Sequence, residues 1–241
     1  MSMLRDVIES SRRIIFFGGA GVSTESGIPD FRSADGLYNA ETGVEYAPEV
    51  ILSHSFFVTH TDEFYAYYRA NLIHGDAQPN PAHRALAALE RAGKLSAVIT
   101  QNIDGLHAAA GSQRVLELHG SIHRNRCMQC DREYGVDAIV SSDGVPHCGS
   151  CGGVIKPDVV LYEEPLDQRV IEASISELAH ADAVIVGGTS LVVYPAAGLL
   201  RAFDGDHLVL INRDATDYDD LATLTIREPI GSALAEFADI Q

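Results

Sequence analysis

The chain has 241 residues, which fits one domain or one domain with a small insertion. Hydrophobic residues make up 46%, and the longest apolar runs are strand-sized, so the sequence argues against a membrane span. The formal charge is -17 and only two residues are lysines, which argues against nucleic-acid binding because that depends on cations neutralising phosphates. The charge could steer basic peptides to the protein, although solubility is the simpler interpretation. Because no signal-peptide pattern is visible, we expect a cytoplasmic protein.

Apolar strand-like runs alternate with amphipathic stretches, which is typical of a parallel sheet covered by helices. We therefore predict an α/β fold, a doubly wound, Rossmann-like parallel sheet. Helices are predicted at 4–12, around 56–72, at 82–92 and at 170–179. Strands are predicted at 14–17, 97–100, 115–118, 159–162, 183–186 and 208–211.

A glycine-rich turn follows the first predicted strand. Residues 18–21 have the sequence GGAG, and glycines at a strand-to-helix turn let backbone N–H groups approach a diphosphate, with help from the helix dipole. The pattern alone is weak, because Thr24 occupies the position of the third glycine in the dinucleotide fingerprint. No acidic residue is evident about 20 positions further on, at the end of a second strand. We therefore do not expect an ordinary nicotinamide dehydrogenase.

All four cysteines lie in two C-x-x-C pairs, CMQC and CGSC, separated by 17 residues. This is the spacing of a four-cysteine zinc ribbon, in which each pair supplies two corners of a tetrahedron. Two disulfides are the alternative, which the missing secretion signal disfavours. Because four thiolates saturate the metal, we expect a structural Zn²⁺ held by Cys127, Cys130, Cys148 and Cys151.

Several motifs, in order, resemble those of one protein family. The segment GGAGVSTESGIPDFR at 18–32 resembles the sirtuin signature GAGxSxxSGIPDFR. The resemblance continues through TQNIDGLH at 100–107, LHG at 118–120, the two cysteine pairs, GTSLVVYP at 188–195 and INR at 211–213. These matches extend over nearly the full chain.

The resemblance implies an NAD-dependent protein-lysine deacetylase. NAD and an acetyl-lysine would become nicotinamide, free lysine and O-acetyl-ADP-ribose, with one structural Zn²⁺ per chain. The expected partner is an acetylated lysine-containing protein or peptide, without nucleic acid or membrane, and the default state is a monomer. We expect a single catalytic domain over 1–241, with a helical and cofactor-loop insertion at about 31–76 and a zinc module at about 121–153. The Rossmann-like core would comprise about 1–30, 77–120 and 154–241.

The resemblance implies that the catalytic residues are His119, Asn102 and Asp104. His119 is expected to be the base, and an ordinary histidine pKa near 6.5 suits proton abstraction at neutral pH. His107 and His123 are the nearest rivals, and we interpret both as structural or as supporting the site from behind. A plain turn is the alternative for the Asn102–Asp104 motif.

The resemblance also implies a loop, at 30–32, that closes over NAD. Within it Arg32 would favour the diphosphate and Phe31 would shield the reactive carbon from water. The expected cofactor-binding residues are Gly19, Ala20, Gly21, Ser23, Thr24, Ile28, Pro29, Asp30, Phe31, Arg32, Gln101, Asn102, Ile103, Asp104, His119, Gly188, Thr189, Ser190, Asn212, Arg213 and Ile230.

A substrate peptide is expected to insert between two chain segments by strand addition. For the valines in these segments the alternative is the sheet core, and both interpretations stay open for Val160. The expected substrate-binding residues are Val159, Val160, Leu161, Tyr162, Val192 and Val193.

The sequence departs from the family pattern at two places. Many members have Phe-Gly-Glu where this chain has YEE at 162–164, and losing the glycine could change the backbone beside the peptide. Sirtuins that prefer succinyl-lysine have a tyrosine and, three residues later, an arginine, but here Tyr65 is followed by Tyr68, with Arg69 one position further on. We therefore expect acetyl-lysine. A desuccinylase or a mono-ADP-ribosyltransferase on the same site is the alternative, and a non-catalytic NAD-binding zinc module is the alternative of another class.

Overall fold

The computed structural model describes residues 3–31, 33, 36–38, 46–192, 195–238 and 240. Its strands, numbered in chain order, are β1 (Ile14–Gly18), β2 (Leu95–Thr100), β3 (Val115–Glu117), β4 (Gly120–Cys127), β5 (Glu133–Tyr134), β6 (Ile155–Val159), β7 (Ala183–Gly187), β8 (His207–Ile211) and β9 (Leu224–Ile226). Six of them form one sheet in the order β3-β2-β1-β7-β8-β9. Every neighbouring pair in this sheet is parallel.

The α-helices of the described residues are α1 (Met3–Ser10), α2 (Pro48–Ile51), α3 (His54–Thr59), α4 (Thr61–Asn71), α5 (Pro81–Arg91), α6 (Leu106–Ala109), α7 (Asp137–Val140), α8 (Gln168–Ala179) and α9 (Ile230–Leu234). Side-chain caps determine where several of them begin. The Asn80 side chain accepts hydrogen bonds from the backbone N–H groups of Ala82 and His83. The ring of His83 in turn accepts one from the N–H of Asn80, and the reciprocal bonds between Asn80 and His83 form a capping box. None of the described helices is long and apolar enough to cross a bilayer.

Both faces of the parallel sheet are covered. In β1, Ile14 and Phe16 pack on the face that carries α5 and α9, whereas Ile15 and Phe17 pack on the face that carries α8. Successive side chains of a strand point to opposite faces, so an uninterrupted apolar strand is the pattern of a sheet buried on both sides. The prediction of a doubly wound parallel sheet is thereby confirmed.

A second, antiparallel sheet has the order β5-β4-β6. Its apolar side chains form a separate cluster with the aromatic residues of α4, including Ile122 of β4 and Ile155 of β6. The predicted strand at 159–162 is wrong, because β6 ends at Val159 and pairs with β4 in this small sheet. Residues 155–159 therefore lie in the small sheet, next to the strand that carries Cys127. An apolar run of four residues indicates a strand but not which sheet it joins.

Two further expectations change in the structure. The helix predicted around 56–72 is divided into α3 and α4, and His60 between them lies outside the helical region of backbone angles. The glycine-rich turn leads not into an α-helix but into two 3₁₀ turns, Ala20–Val22 and Thr24–Ser26. A helix dipole of useful length is therefore missing at this turn.

Candidate active site

One cavity of about 710 Å³ lies at the carboxyl ends of β1, β2, β7 and β8. The chain order of the strands reverses between β1 and β7, and open α/β sheets bind ligands at such a switch point. The volume is within the usual range of small-molecule and cofactor sites. The small sheet contributes the opposite wall, through the end of β6 and the residues that follow it.

Most of the residues expected from the sequence line this cavity. Among the expected substrate residues, Val192 does not line it and is 51% exposed. Arg32 and Val193 lie outside the described residues. The expected residues that line it are Gly19, Ala20, Gly21, Ser23, Thr24, Ile28, Pro29, Asp30, Phe31, Gln101, Asn102, Ile103, Asp104, His119, Val159, Val160, Leu161, Tyr162, Gly188, Thr189, Ser190, Asn212, Arg213 and Ile230.

The glycines of the first turn pack against the glycine after β7, backbone to backbone. The N–H of Gly21 donates to the carbonyl oxygen of Gly188 at 2.8 Å. A Cβ on Gly21 would lie 2.8 Å from the Cα of Gly188, too close for any side chain. Gly188 itself has φ +59, a conformation that favours glycine. The two loops are therefore in direct backbone contact, and both line the cavity at the carboxyl ends of β1 and β7. This is where parallel α/β sheets bind dinucleotides.

A chain of hydrogen bonds joins three polar residues at the end of β2. The side-chain amide of Asn102 donates to the Ser23 hydroxyl at 3.1 Å, and this hydroxyl donates to one carboxylate oxygen of Asp104 at 2.6 Å. The other Asp104 oxygen accepts the backbone N–H of Leu106 at 2.8 Å. The Asp104 carboxylate is therefore fixed at both oxygens, with Asn102 and Ser23 buried beside it.

His119 follows β3 and lines the cavity beside this cluster. Its Nδ1 lies 2.9 Å from the carbonyl oxygen of Gln101. Because a carbonyl oxygen can only accept, Nδ1 carries the proton and Nε2 has the free lone pair. Burial lowers the pKa of His119, outweighing the bond to Gln101, which raises it. The imidazole is therefore neutral at pH 7 and able to accept a proton.

The other two histidines considered from the sequence lie behind the cavity wall. The Nε2 of His123 donates to the backbone carbonyl of Asp104 at 3.1 Å. His107 is 2% exposed and its ring centre lies 4.7 Å from that of His83. Burial lowers the pKa of His107 well below its ordinary value. Neither residue lines the cavity, whereas His119 and His74 do. The Nε2 of His74 donates to the Asn71 carbonyl at 3.1 Å, whereas the Nε2 of His119 keeps its lone pair free.

At the opposite end of the cavity, side chains join the ends of β2, β7 and β8. The Gln101 amide donates to the Thr189 hydroxyl at 3.1 Å, and the Asn212 amide donates to the Thr189 backbone carbonyl at 3.1 Å. Glu25, which the sequence analysis did not single out, accepts the backbone N–H of Gly231 at 2.6 Å. This bond ties the glycine-rich turn to α9 across 206 positions, a contact that no local pattern signals.

The four cysteine sulfurs lie within 4.8 Å of one another. The Cys127–Cys151 and Cys130–Cys148 sulfur distances are 3.4 and 3.6 Å, far longer than the ~2.05 Å of a disulfide. Four sulfurs about 2.3 Å from one zinc ion would lie roughly 3.8 Å apart, so the cluster fits tetrahedral Zn²⁺. Hydrogen bonds from the Tyr134 hydroxyl and then the Ser150 N–H lower the pKa of the Cys148 thiol to about 5. At Cys151 the Gly153 N–H lowers the pKa, but the neighbouring sulfurs raise it to about 12, so the fit to Zn²⁺ rests on the sulfur positions.

A model of the Sir2 family matches residues 19–195 of the chain. The chain belongs to the Sir2 family. A relative from Clostridium acetobutylicum named NAD-dependent protein deacetylase is 55% identical over 232 residues, covering 96% of this chain and 95% of the relative. Another of that name, from Staphylococcus epidermidis, is 44% identical over 239 residues, covering 99% and 97%. The family predicted from the motifs is thereby confirmed.

Solved structures of the family agree with the fold. A Sir2 homologue in complex with NAD superposes with a TM-score of 0.88 at 37% identity, covering 98% of this chain and 91% of that one. A second, solved with a deacetylated p53 peptide and 3'-O-acetyl ADP ribose, gives 0.86 at 39% identity, covering 99% and 96%. In both, more than a third of the aligned residues are identical, over nearly the full length of this chain.

Arg69, one position beyond where succinyl-preferring sirtuins have their arginine, does not line the cavity. Its Nε donates to the carbonyl of Ile139 at 2.8 Å, and its Nη2 bonds the Ser142 hydroxyl at 2.8 Å and the carbonyl of Gly144. The hydrogen bonds of the Arg69 guanidinium thus go to residues of the zinc module, at about 121–153. Tyr68 takes the lining position instead, so among the described residues of α4 neither lysine nor arginine lines the cavity.

One residue of the departure at 162–164 has a backbone conformation that favours glycine. Glu163 stands where many sirtuins have glycine, and it has φ +75, in the left-handed region. The conformation is unfavourable for a residue with a Cβ and requires interactions that hold it.

Proposed function

We infer that this chain is an NAD-dependent protein-lysine deacetylase, which moves the acetyl group of an acetyl-lysine to ADP-ribose and releases nicotinamide and free lysine. The observation that carries the inference is His119 in the same cavity as the Asn102–Ser23–Asp104 cluster. There the imidazole is neutral, with its free nitrogen available. Relatives at 44–55% identity that are named NAD-dependent protein deacetylase support the same reaction.

NAD, when bound, supplies the ribosyl carbon that the acetyl oxygen attacks and from which nicotinamide departs. We propose that the fixed carboxylate of Asp104, with the Ile103 backbone, holds the nicotinamide amide, and that Asn102 and Gln101 face the ribose. The neutral His119 would then remove a proton from a ribose hydroxyl through Nε2, since Nδ1 is engaged by Gln101. Phe31 would exclude water from this end of the cavity, which it lines.

The remaining cofactor residues are proposed along the cavity floor. The two loops that carry Gly19, Gly21 and Gly188, all of which line the cavity, would lie against the diphosphate. The Thr189–Asn212 end, with Ser190, Arg213 and Ile230, would take the adenosine. The four-cysteine cluster would hold Zn²⁺ as a structural ion, because four sulfurs leave no open position.

We propose that the acetylated peptide lies along residues 159–163. Within this stretch the N–H and C=O of Tyr162 are already paired, to the Leu52 carbonyl and the His54 N–H. The Val160 N–H is bonded to the His119 carbonyl. We therefore restrict the proposed strand addition to the backbone groups that remain available. Among the described residues, the groups that stay free are the Val160 carbonyl and the N–H and C=O of Glu163, and these would bind the peptide backbone.

The wider setting is also a proposal. We propose a monomer in the cytoplasm that acts on acetylated proteins without binding nucleic acid or membrane, in keeping with a charge of -17. One catalytic domain would comprise a Rossmann-like core, a helical insertion at about 31–76 and a zinc module extended to about 159, where β6 ends.

A single incubation with NAD separates the activities that this cavity could support. An acetyl-lysine peptide and its succinyl counterpart are each mixed with enzyme and NAD and followed by mass spectrometry. We expect loss of the acetyl group and little loss of succinyl, because Arg69 is engaged by the zinc module. A peptide that gains ADP-ribose would instead support transferase activity, and an unchanged peptide with bound NAD would support a non-catalytic module.

A further inference from the structure

Three non-glycine residues among those described have positive φ, namely Asp131, Glu163 and Leu191. Glu163, at φ +75, is exposed, yet it lines the cavity at the proposed peptide segment. Residues held in sparsely populated backbone conformations cluster at functional sites, where the surroundings over-determine them. The interactions that hold Glu163 are therefore informative about the site.

The Glu163 carboxylate accepts two hydrogen bonds from one residue in the first turn of α3. The Ser55 backbone N–H donates to Oε2 at 2.9 Å, and the Ser55 hydroxyl donates to Oε1 at 2.9 Å. The first backbone N–H groups of a helix have no partner within it, so the carboxylate satisfies one of them. Hydrogen bonds to an ionised acceptor are stronger than neutral ones.

The neighbouring residues are held to the same helix start. The Leu52 carbonyl and His54 N–H pair with the two backbone groups of Tyr162, at 2.9 and 3.0 Å. Glu164 bonds the ring of His54 at 2.9 Å and the Leu161 N–H at 3.0 Å. Within the part of the chain that the structure describes, the backbone groups of Glu163 thus have no partner, whereas nearly all others in this segment are paired.

We propose that the Glu163 carboxylate is a positioning group for the substrate peptide. By accepting both bonds from Ser55, it fixes the left-handed backbone at 163 and so orients the free N–H and C=O of that residue toward one peptide geometry. The proposal rests on the proposed deacetylase function. If Glu163 has this role, the affinity for the peptide depends on the bonds between Ser55 of α3 and the Glu163 carboxylate. The affinity for NAD does not depend on these bonds.

The test uses steady-state kinetics of the full chain with NAD and an acetyl-lysine peptide. Glu163→Gly tolerates the left-handed backbone but loses the two bonds, so we expect the peptide KM to rise about five- to tenfold. The KM for NAD should stay within about twofold, because no NAD contact changes. Glu163→Gln keeps an acceptor oxygen and should recover part of the loss. A general loss of stability would not raise the KM for the peptide while leaving the KM for NAD unchanged.

Two further variants show whether the effect passes through Ser55. Ser55→Ala should raise the peptide KM in the wild-type background and have no further effect in Glu163→Gly, since the shared contact is already gone. Asp131→Gly is the matched control, because Asp131 also has positive φ (+57) and a carboxylate but does not line the cavity. Its peptide KM should equal that of the wild type.

The outcomes distinguish this proposal from the function on which it rests. An unchanged peptide KM in Glu163→Gly, an equal rise in both KM values, or an additive effect of Ser55→Ala in both backgrounds would each overturn the positioning role alone. In all of these cases the wild type still deacetylates the peptide. A wild type that neither binds nor deacetylates acetyl-lysine peptides would overturn the proposed function and this inference with it.

Discussion

Replacing Ser23 by alanine removes the hydroxyl that joins Asn102 to Asp104. Ser23 is 1% exposed, so water cannot readily replace the lost group. The substitution deletes the 2.6 Å bond to the Asp104 carboxylate and leaves the Asn102 amide without that acceptor. A hydrogen bond to a charged group contributes about 1.5–3 kcal/mol. The Leu106 N–H still holds the other Asp104 oxygen, so the carboxylate stays in place but is less constrained.

If this loss is expressed in the reaction, kcat/KM for NAD should fall about 10- to 100-fold, since about 1.4 kcal/mol corresponds to a factor of ten. The assay measures nicotinamide release at saturating acetyl-lysine peptide, with the melting temperature recorded in parallel. Ser112→Ala is the control, because Ser112 is also buried, at 5% exposure, and its hydroxyl has no partner among the described residues. A fall of less than about twofold in Ser23→Ala, or an equal fall in the control, would refute the reasoning.

Three further predictions follow from the site and the cysteine cluster. Burial lowers the pKa of His119 from 6.5, so kcat/KM should fall on the acid side with a midpoint below that pH, and a midpoint above 7 would be inconsistent with the neutral base. Gly21→Ala should raise the KM for NAD and cost about 1–3 kcal/mol of stability, because its Cβ meets the Gly188 backbone, whereas Gly75→Ala, in open space, should change neither. Removing zinc with a chelator should abolish activity and lower the melting temperature together, and full activity in a folded, zinc-free protein would contradict a structural ion.

The parallel sheet was predictable from the sequence because its strands are continuous apolar runs. The runs at 14–17, 183–186 and 208–211 each fall within an observed strand, β1, β7 and β8. The small sheet was not predictable. In β4, GSIHRNRC, buried and exposed positions follow no strict alternation, and β5 has only two residues. Periodicity signals a strand only when one face or both faces are evenly buried.

The candidate site was predicted by resemblance more fully than by physical patterns. The motifs indicated His119 and Asp104, and the structure adds how Gln101 and Ser23 hold them. The glycines were expected to admit a diphosphate. In the structure, the requirement for glycine at position 21 comes from the close approach of Gly188, because a Cβ there would meet its backbone. These two residues are far apart in the chain, so no local pattern predicts the contact. The left-handed backbone of Glu163 could not be predicted either, since it depends on a contact with α3 across 108 positions.

The central claim is that His119 is the base of an NAD-dependent deacetylation. The most direct measurement compares wild type, His119→Ala and His180→Ala on an acetyl-lysine peptide with NAD, quantifying nicotinamide, deacetylated peptide and O-acetyl-ADP-ribose by mass spectrometry. His180 is exposed at the end of α8 and serves as the matched control. The account predicts equal amounts of the three products from wild type and His180→Ala, and their loss in His119→Ala. Undiminished deacetylation by His119→Ala, or none by the wild type, would contradict it.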